Sequence, residues 1–66
     1  MSLIEMRVLM YKRKISTKQL AGMLGISYIR MSRKLDGDAE FTSNEIESLA
    51  DILGKREVAF IFFGNE

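Results

Sequence analysis

Residues 26–37, "ISYIRMSRKLDG", contain the side chains of this chain that are best suited to bind a polyanion. Arg30, Arg33 and Lys34 fall close together there, and Ile29 directly precedes them. Guanidinium groups donate paired hydrogen bonds to phosphates and to guanine edges, so a nucleic acid is the first partner to consider. Which of these side chains face a core depends on the helix that carries them.

Charge is divided unevenly along the chain, although the net charge is only +1. Residues 1–35 hold eight basic groups and one acid, which gives +7, and residues 36–66 hold two basic groups and eight acids, which gives −6. Such a split suggests a polyanion partner for the basic half. Two solvated faces of opposite sign would produce the same charges, and charge alone does not separate the two interpretations.

The side chains most often used for catalysis and metal binding are missing. The chain has no histidine and no cysteine, which removes the common bases and nucleophiles and excludes a Cys/His zinc site. The residues at positions 36, 38, 40, 42, 44 and 47 follow an EF-hand-like spacing, but Phe41 stands where that loop requires glycine. We therefore expect that the chain is not an enzyme and that it binds no metal, no cofactor and no small-molecule ligand.

Length and composition predict one small domain over residues 1–66. Hydrophobic residues make up 47% and charged residues 29%, the balance of a soluble globular domain. No apolar run approaches the roughly 20 residues that span a bilayer, and the basic-then-apolar order of a signal peptide is missing at the N-terminus. A cytoplasmic protein without a membrane partner is therefore expected.

Apolar residues recur with helical rather than alternating spacing, which predicts an all-α fold of four or five helices. The helices are expected over residues 2–13, over 17–24 after an N-cap at Ser16, over 28–35 after an N-cap at Ser27, and from a cap at Thr42 or Ser43 up to Gly54. The segment 56–63 is short and apolar, so helix and strand both remain open there.

The second and third helices, with the short break between them, have the layout of a helix-turn-helix. Ala21 is small where two helices cross, and Gly25 permits the positive φ of a tight turn. With "LAGMLGIS" followed by "SRKLDGDAEFTSNEIESLADILG", the chain resembles the lambda-repressor-like proteins, a family that includes phage Cro proteins and repressors. The resemblance covers essentially the whole chain. It departs at Asp38, where many relatives carry lysine, so this loop is expected to bind phosphate poorly.

The resemblance implies a compact helical domain that binds double-stranded DNA, usually as a dimer, and regulates transcription, here as a repressor of the phage or prophage type. Its third helix would read the major groove. On a helical wheel with the core between Met31 and Leu35, Ile29 and Arg33 point directly away from the core. Base contacts are expected from Tyr28, Ile29, Arg30, Ser32 and Arg33.

Four of these residues also have a plainer explanation. Arg30 and Arg33 could lie on a solvated helix face, Ile29 could contact another subunit or be an ordinary exposed apolar residue, and Tyr28 could pack against the second helix. In the DNA interpretation, Arg33 would donate to guanine and Ile29 would touch a thymine methyl group. Phosphate contacts are expected from helix N-termini and nearby basic groups, namely Thr17, Lys18, Ser27 and Lys34.

The aromatic C-terminal segment exceeds what one small core needs. We expect Phe60, Phe62 and Phe63 to form part of a homodimer interface, although all three could instead pack internally in a fifth helix. A two-fold dimer would read two half-sites about one helical turn apart. The competing functions are a protein-interaction module with this fold, such as an antirepressor, and an antitoxin-like regulator.

Overall fold

The computed structural model describes residues 3–64, and these form five α-helices. They are α1 (Ile4–Lys12), α2 (Thr17–Leu24), α3 (Tyr28–Asp36), α4 (Ser43–Leu53) and α5 (Lys55–Phe63). The predicted all-α fold is confirmed, and the ambiguous segment 56–63 lies in a helix. Residue 2, which the predicted first helix included, lies outside the described residues.

Side-chain caps determine where three of the helices begin. Ser16 Oγ accepts a hydrogen bond from the Gln19 N–H, and the Gln19 side chain accepts one from the Ser16 N–H. Thr42 and Glu45 form the same reciprocal pair at the start of α4, so Thr42 is the N-cap of that helix. Ser27 caps α3 through a single hydrogen bond. Each cap contributes about 1 kcal/mol, because it satisfies a backbone N–H that the helix leaves unpaired.

The core lies where the five helices meet, and each helix contributes to it. Its fully or nearly fully buried side chains are Met6, Leu9, Met10, Leu20, Ala21, Met31, Leu35, Leu49, Leu53 and Val58. Half-buried Ile26 closes the core at the turn between α2 and α3, and Phe41 packs on it from the loop before α4. These apolar contacts are the main stabilisation available to a domain without disulfides.

The turn between α2 and α3 fixes the angle at which α3 leaves the core. Gly25 adopts φ +75°, a conformation that L-residues avoid. The N–H of Ile26 then reaches back to the carbonyl of Ala21 at 3.0 Å. Ala21 is 2% exposed, and its single methyl group allows the two helices to approach each other. One face of α3 is thereby held on the core, and its opposite face is left in solvent.

Candidate nucleic-acid interface

The orientation of α3 agrees with the helical wheel. Met31 and Leu35 are fully buried, and they fix the inward side of the helix. Ile29 is 69% exposed, and Arg30 and Arg33 are also on the surface. The helix therefore presents one apolar side chain beside two long cations, with its N-terminal half accessible.

Within residues 3–64, neither arginine on this face has a side-chain partner. Among residues 3–64, the ion pairs involve Arg7, Arg13 and Lys34, and no side-chain hydrogen bond includes the guanidinium of Arg30 or Arg33. A guanidinium without a partner keeps all five of its N–H donors in water, where a planar acceptor can take two of them together.

The two other residues predicted to contact bases differ in exposure. Tyr28, the first residue of α3, is 57% exposed, so only part of its ring contacts the protein. Ser32 is half-buried, and it lies beside the outward face rather than at its centre. Tyr28 is therefore the more accessible of the two, and its hydroxyl can both donate and accept a hydrogen bond.

The N-termini of α2 and α3 both favour anions. Neither helix has an acidic residue in its first turn, so the partial positive charge of the helix end is not compensated there. Lys18 is exposed in the first turn of α2, and Thr17 beside it is half-buried. The Ser27 Oγ accepts a hydrogen bond from the Arg30 backbone N–H at 3.1 Å within the α3 cap, which leaves the hydroxyl proton of Ser27 free to donate.

Two residues near the start of α2 were not predicted as contacts from the sequence. Tyr11 and Gln19 line a cleft beside the Ser16 cap, together with Lys14, a weaker phosphate candidate, and Tyr11 is 84% exposed. The Gln19 Oε1 accepts from the Ser16 N–H, which leaves its amide N–H groups available as donors. The available signal was the spacing of the capping box, which puts a glutamine side chain back beside the first residues of the helix.

Lys34 lies apart from the other predicted phosphate contacts. Its side chain is only 8% exposed, and its Nζ lies 3.0 Å from Glu45 Oε1. The same Nζ donates to the Glu40 carbonyl at 2.9 Å, and it lies 5.7 Å from the centre of the Phe41 ring. With its ammonium held inside the protein, Lys34 is revised from a phosphate contact to an internal link between α3 and the start of α4.

The contact between Lys34 and Glu45 changes the ionisation of the Glu45 carboxyl group. Partial burial opposes the charged form of Glu45, but hydrogen bonds from Thr42 and the Lys34 ammonium outweigh burial and lower the pKa of Glu45 below its ordinary value. The carboxylate is consequently charged at neutral pH, as the buried lysine requires.

Two other cations of the basic half are also occupied. Arg7 donates to Asp36 at 2.8 Å and thereby connects α1 to the end of α3. Arg13 donates through Nε to the Leu53 carbonyl at 2.9 Å, and its Nη2 lies 3.4 Å from Glu57. These exposed ion pairs contribute little free energy, but they remove two guanidinium groups from the surface available to a ligand.

The three phenylalanines predicted for a dimer interface have separate environments. Phe62 is half-buried and packs edge-to-face against Phe41, with ring centroids 5.4 Å apart. Phe60 is 60% exposed and Phe63 is 71% exposed. Phe60 and Phe63 therefore expose most of their side-chain surface, whereas Phe62 belongs to the internal packing of this chain.

Two further observations concern other kinds of partner. Within residues 3–64, no group of three or more acidic side chains is arranged to hold a metal ion. None of the helices in that region is both long and apolar enough to cross a bilayer.

Comparison with known proteins agrees with this geometry. No curated protein and no solved structure matches the chain. A family model described as the Cro/C1-type HTH DNA-binding domain matches residues 5–56, a span that contains α2, α3 and α4 completely and nearly all of α1. Because the match covers well over half of the chain and includes the helix-turn-helix, the chain belongs to the Cro/C1-type HTH DNA-binding domain family.

Proposed function

We propose that the chain is a sequence-specific transcription regulator, a repressor of the phage or prophage type, that occupies an operator and blocks polymerase. The observation that carries the proposal is the outward face of α3. Arg30 and Arg33 are exposed there and have no side-chain partner among residues 3–64, and the buried Met31 and Leu35 hold the helix rigidly beneath them. A rigid helix with free guanidinium groups suits the major groove, which admits an α-helix.

Within the groove, Arg33 is assigned to a guanine. Its guanidinium can donate to O6 and N7 together, a contact that contributes about 1–3 kcal/mol of discrimination against the wrong base. Ile29 is assigned to a thymine methyl group, because an isoleucine that is 69% exposed gains from burial against an apolar surface. Tyr28, Arg30 and Ser32 complete the proposed set of base contacts.

Phosphate contacts are assigned to the start of α2 and the start of α3. Thr17, Lys18 and Ser27 lie at two helix N-termini that have no acidic residue in the first turn. Gln19 is added to this set because its amide N–H groups are available beside the Ser16 cap. Such contacts set the register of the protein on the duplex and carry no sequence information themselves.

The regulator is proposed to act as a homodimer. Phe60 and Phe63, with exposed fractions of 60% and 71%, leave roughly 250 Å² of aromatic surface in water, since a phenylalanine has about 200 Å² to bury. Burial of that surface is worth about 6 kcal/mol before the costs of association, which makes α5 the natural contact between two copies. A two-fold dimer would place two α3 helices in successive major grooves.

The proposal is tested by a gel shift on DNA that flanks the chain's own coding region, measured at two salt concentrations. Binding should occur and should weaken steeply with salt, because neutralised phosphates release counterions. Arg33→Ala should lose discrimination between sequences, and Lys18→Ala should weaken all sequences about equally. Lys55→Ala is the matched control for DNA contact, because it removes the same charge from the start of α5, outside the proposed DNA-contact surface on α2 and α3. No binding, or binding indifferent to salt, would exclude the proposal.

A further inference from the structure

Lys34 is the one charged side chain that is buried within residues 3–64. It lies in the last turn of α3, next to the fully buried Leu35. Taking a charge out of water is costly, and replacing a buried ion pair by apolar side chains of similar volume is often neutral or stabilising. The stability of the fold therefore does not explain why a lysine stands at this position rather than a methionine.

The ammonium group of Lys34 is held by contacts that have definite directions. Its Nζ lies 3.0 Å from Glu45 Oε1, donates to the Glu40 carbonyl at 2.9 Å, and lies 5.7 Å from the centre of the Phe41 ring. These partners lie on one short segment, residues 40–45, and the reciprocal hydrogen bonds of Thr42 and Glu45 fix that segment at the start of α4. The end of the Lys34 side chain is thus tied to one place on the neighbouring helix.

The apolar contacts of α3 restrict its rotation less sharply. Met31 and Leu35 keep the helix on the core, but hydrophobic burial depends on area and has no direction. A hydrogen bond, in contrast, weakens steeply when its angle changes. A small rotation of α3 about its own axis would therefore cost the apolar contacts less than it would cost the contacts of Lys34.

The other polar contacts of the last turn are weaker restraints on rotation. The ion pair between Arg7 and Asp36 is formed by side chains that are 44% and 56% exposed, so water competes for both groups. The Leu3 N–H donates to the Leu35 carbonyl at 2.9 Å, but this carbonyl lies close to the helix axis, where a rotation moves atoms least. Lys34 has the one contact that is both buried and far from the axis.

Reading a base edge requires a definite rotation of the helix. Functional side chains must lie within about 0.5 Å and 10–20° of their working positions, and a guanidinium that donates to guanine O6 and N7 together has little freedom. Side-chain atoms lie about 5–6 Å from a helix axis, so a rotation of about 10° displaces them by about 1 Å. Arg33 directly precedes Lys34 on α3, so the rotation that the Lys34 contacts select also aims Arg33.

We propose that Lys34 is a positioning residue for DNA recognition. Its buried contacts with Glu45 and the Glu40 carbonyl fix the rotation of α3, and they thereby fix the sequence preference of the arginines on its outward face. The inference rests on the DNA-reading role proposed above, and it adds a side chain that touches no DNA to those that determine specificity. Without this ion pair the domain stays folded, but α3 samples several rotations and discriminates less between sequences.

The test uses the double variant Lys34→Met/Glu45→Gln. It removes one charge of each sign, so the net charge stays at +1, and the glutamine can still pair with Thr42 at the start of α4. Gel shifts compare a duplex that the wild-type chain selects with a scrambled duplex of the same length, at a temperature where circular dichroism shows both proteins folded. The ratio of the two affinities should fall by about 10-fold, the size of one weakened base contact. Affinity for the scrambled duplex and its salt dependence should stay unchanged.

Asp36→Asn is the matched control, because it removes an ion pair from the same turn of α3 that is exposed rather than buried. It should leave the ratio of the two affinities unchanged. If the ratio falls as far in this control as in the double variant, or if it does not fall in the double variant, the inference is overturned.

A second measurement needs no DNA and detects the rotation of α3 itself. The backbone amides of Tyr28, Ile29 and Arg30 lie about 6–9 Å along the helix from Lys34. In the double variant their NMR signals should broaden, because small shifts of a helix take place in microseconds to milliseconds. Sharp signals like those of the wild type would overturn the inference. A wild-type chain that prefers no duplex would refute the proposed function, and these amide signals would then decide the positioning role of Lys34 by themselves.

Discussion

The ion pair between Lys34 and Glu45 provides a sharp test of how α3 is held in place. We consider Glu45→Gln, which keeps the shape of the side chain and its ability to hydrogen-bond with Thr42 while removing its charge. Lys34 would then remain inside the protein as a charged group, since its side chain is only 8% exposed. Its remaining partners would be neutral, namely the Glu40 carbonyl, at 2.9 Å, and the amide oxygen that the substitution leaves at position 45.

The expected cost follows from burial and from the contacts that survive. Breaking a fully buried ion pair by removing one partner costs about 3–5 kcal/mol. The cost should be smaller here, because the Glu45 side chain is 17% exposed and the Glu40 hydrogen bond is retained. We expect a loss of about 2–3 kcal/mol in the free energy of unfolding, out of roughly 3–10 kcal/mol for a domain of this size. The melting temperature should fall by about 10–20 °C.

Two further variants show whether the loss comes from the unpaired lysine. Lys34→Met removes the buried charge and fills the same space, so it should cost no more than about 1 kcal/mol. The double variant Lys34→Met/Glu45→Gln should be more stable than Glu45→Gln alone, because it leaves no buried charge without a partner. Urea unfolding measured by circular dichroism gives all four stabilities of this double-mutant cycle. If the two single losses simply add in the double variant, the ion pair does not couple α3 to α4, and the reasoning fails.

Three other outcomes follow from the same structure. Gly22→Ala should raise the free energy of unfolding by about 1 kcal/mol, because Gly22 lies within α2 and a Cβ there meets nothing within 4 Å; thermal unfolding would show the gain. Gly25→Ala should lower it by about 1–2 kcal/mol in the same assay, because φ is +75° there, and a neutral result would show that the turn tolerates an L-residue. The pKa of Glu45 is lowered in the folded state, so its carboxylate stabilises the fold at pH values above the ordinary pKa of 4.5, and this stabilisation is lost as the pH falls through the lower pKa of the folded state. Urea midpoints should therefore drop between neutral pH and about pH 3 in the wild type, and should drop less in Glu45→Gln.

The helix-turn-helix could be predicted closely because residues next to each helix determine where that helix begins and ends. Ser16 and Ser27 cap the helices that follow them, and Gly25 ends the first of the two, so α2 was placed correctly and α3 within one residue. The exposure of Ile29 also followed from sequence, because helical periodicity alone puts it opposite Met31 and Leu35.

The features that were not predicted depend on residues distant in sequence. Lys34 is buried because Glu45, eleven positions further on, provides its counter-charge, and no local pattern indicates that pairing. The segment that became α5 is apolar on almost every side, so its periodicity did not distinguish helix from strand. Phe62 differs from Phe60 and Phe63 because it packs against the core and against Phe41, which precedes α4 in the sequence.

The central claim is that the outward face of α3 reads a DNA sequence, and selection of duplexes from a random pool tests it most directly. The wild-type chain should enrich one sequence made of two half-sites about one helical turn apart, with a guanine at the position that Arg33→Ala no longer selects. Lys18→Ala should enrich the same sequence with lower yield. An unchanged preference in Arg33→Ala, or no enrichment by the wild-type chain, would contradict the account.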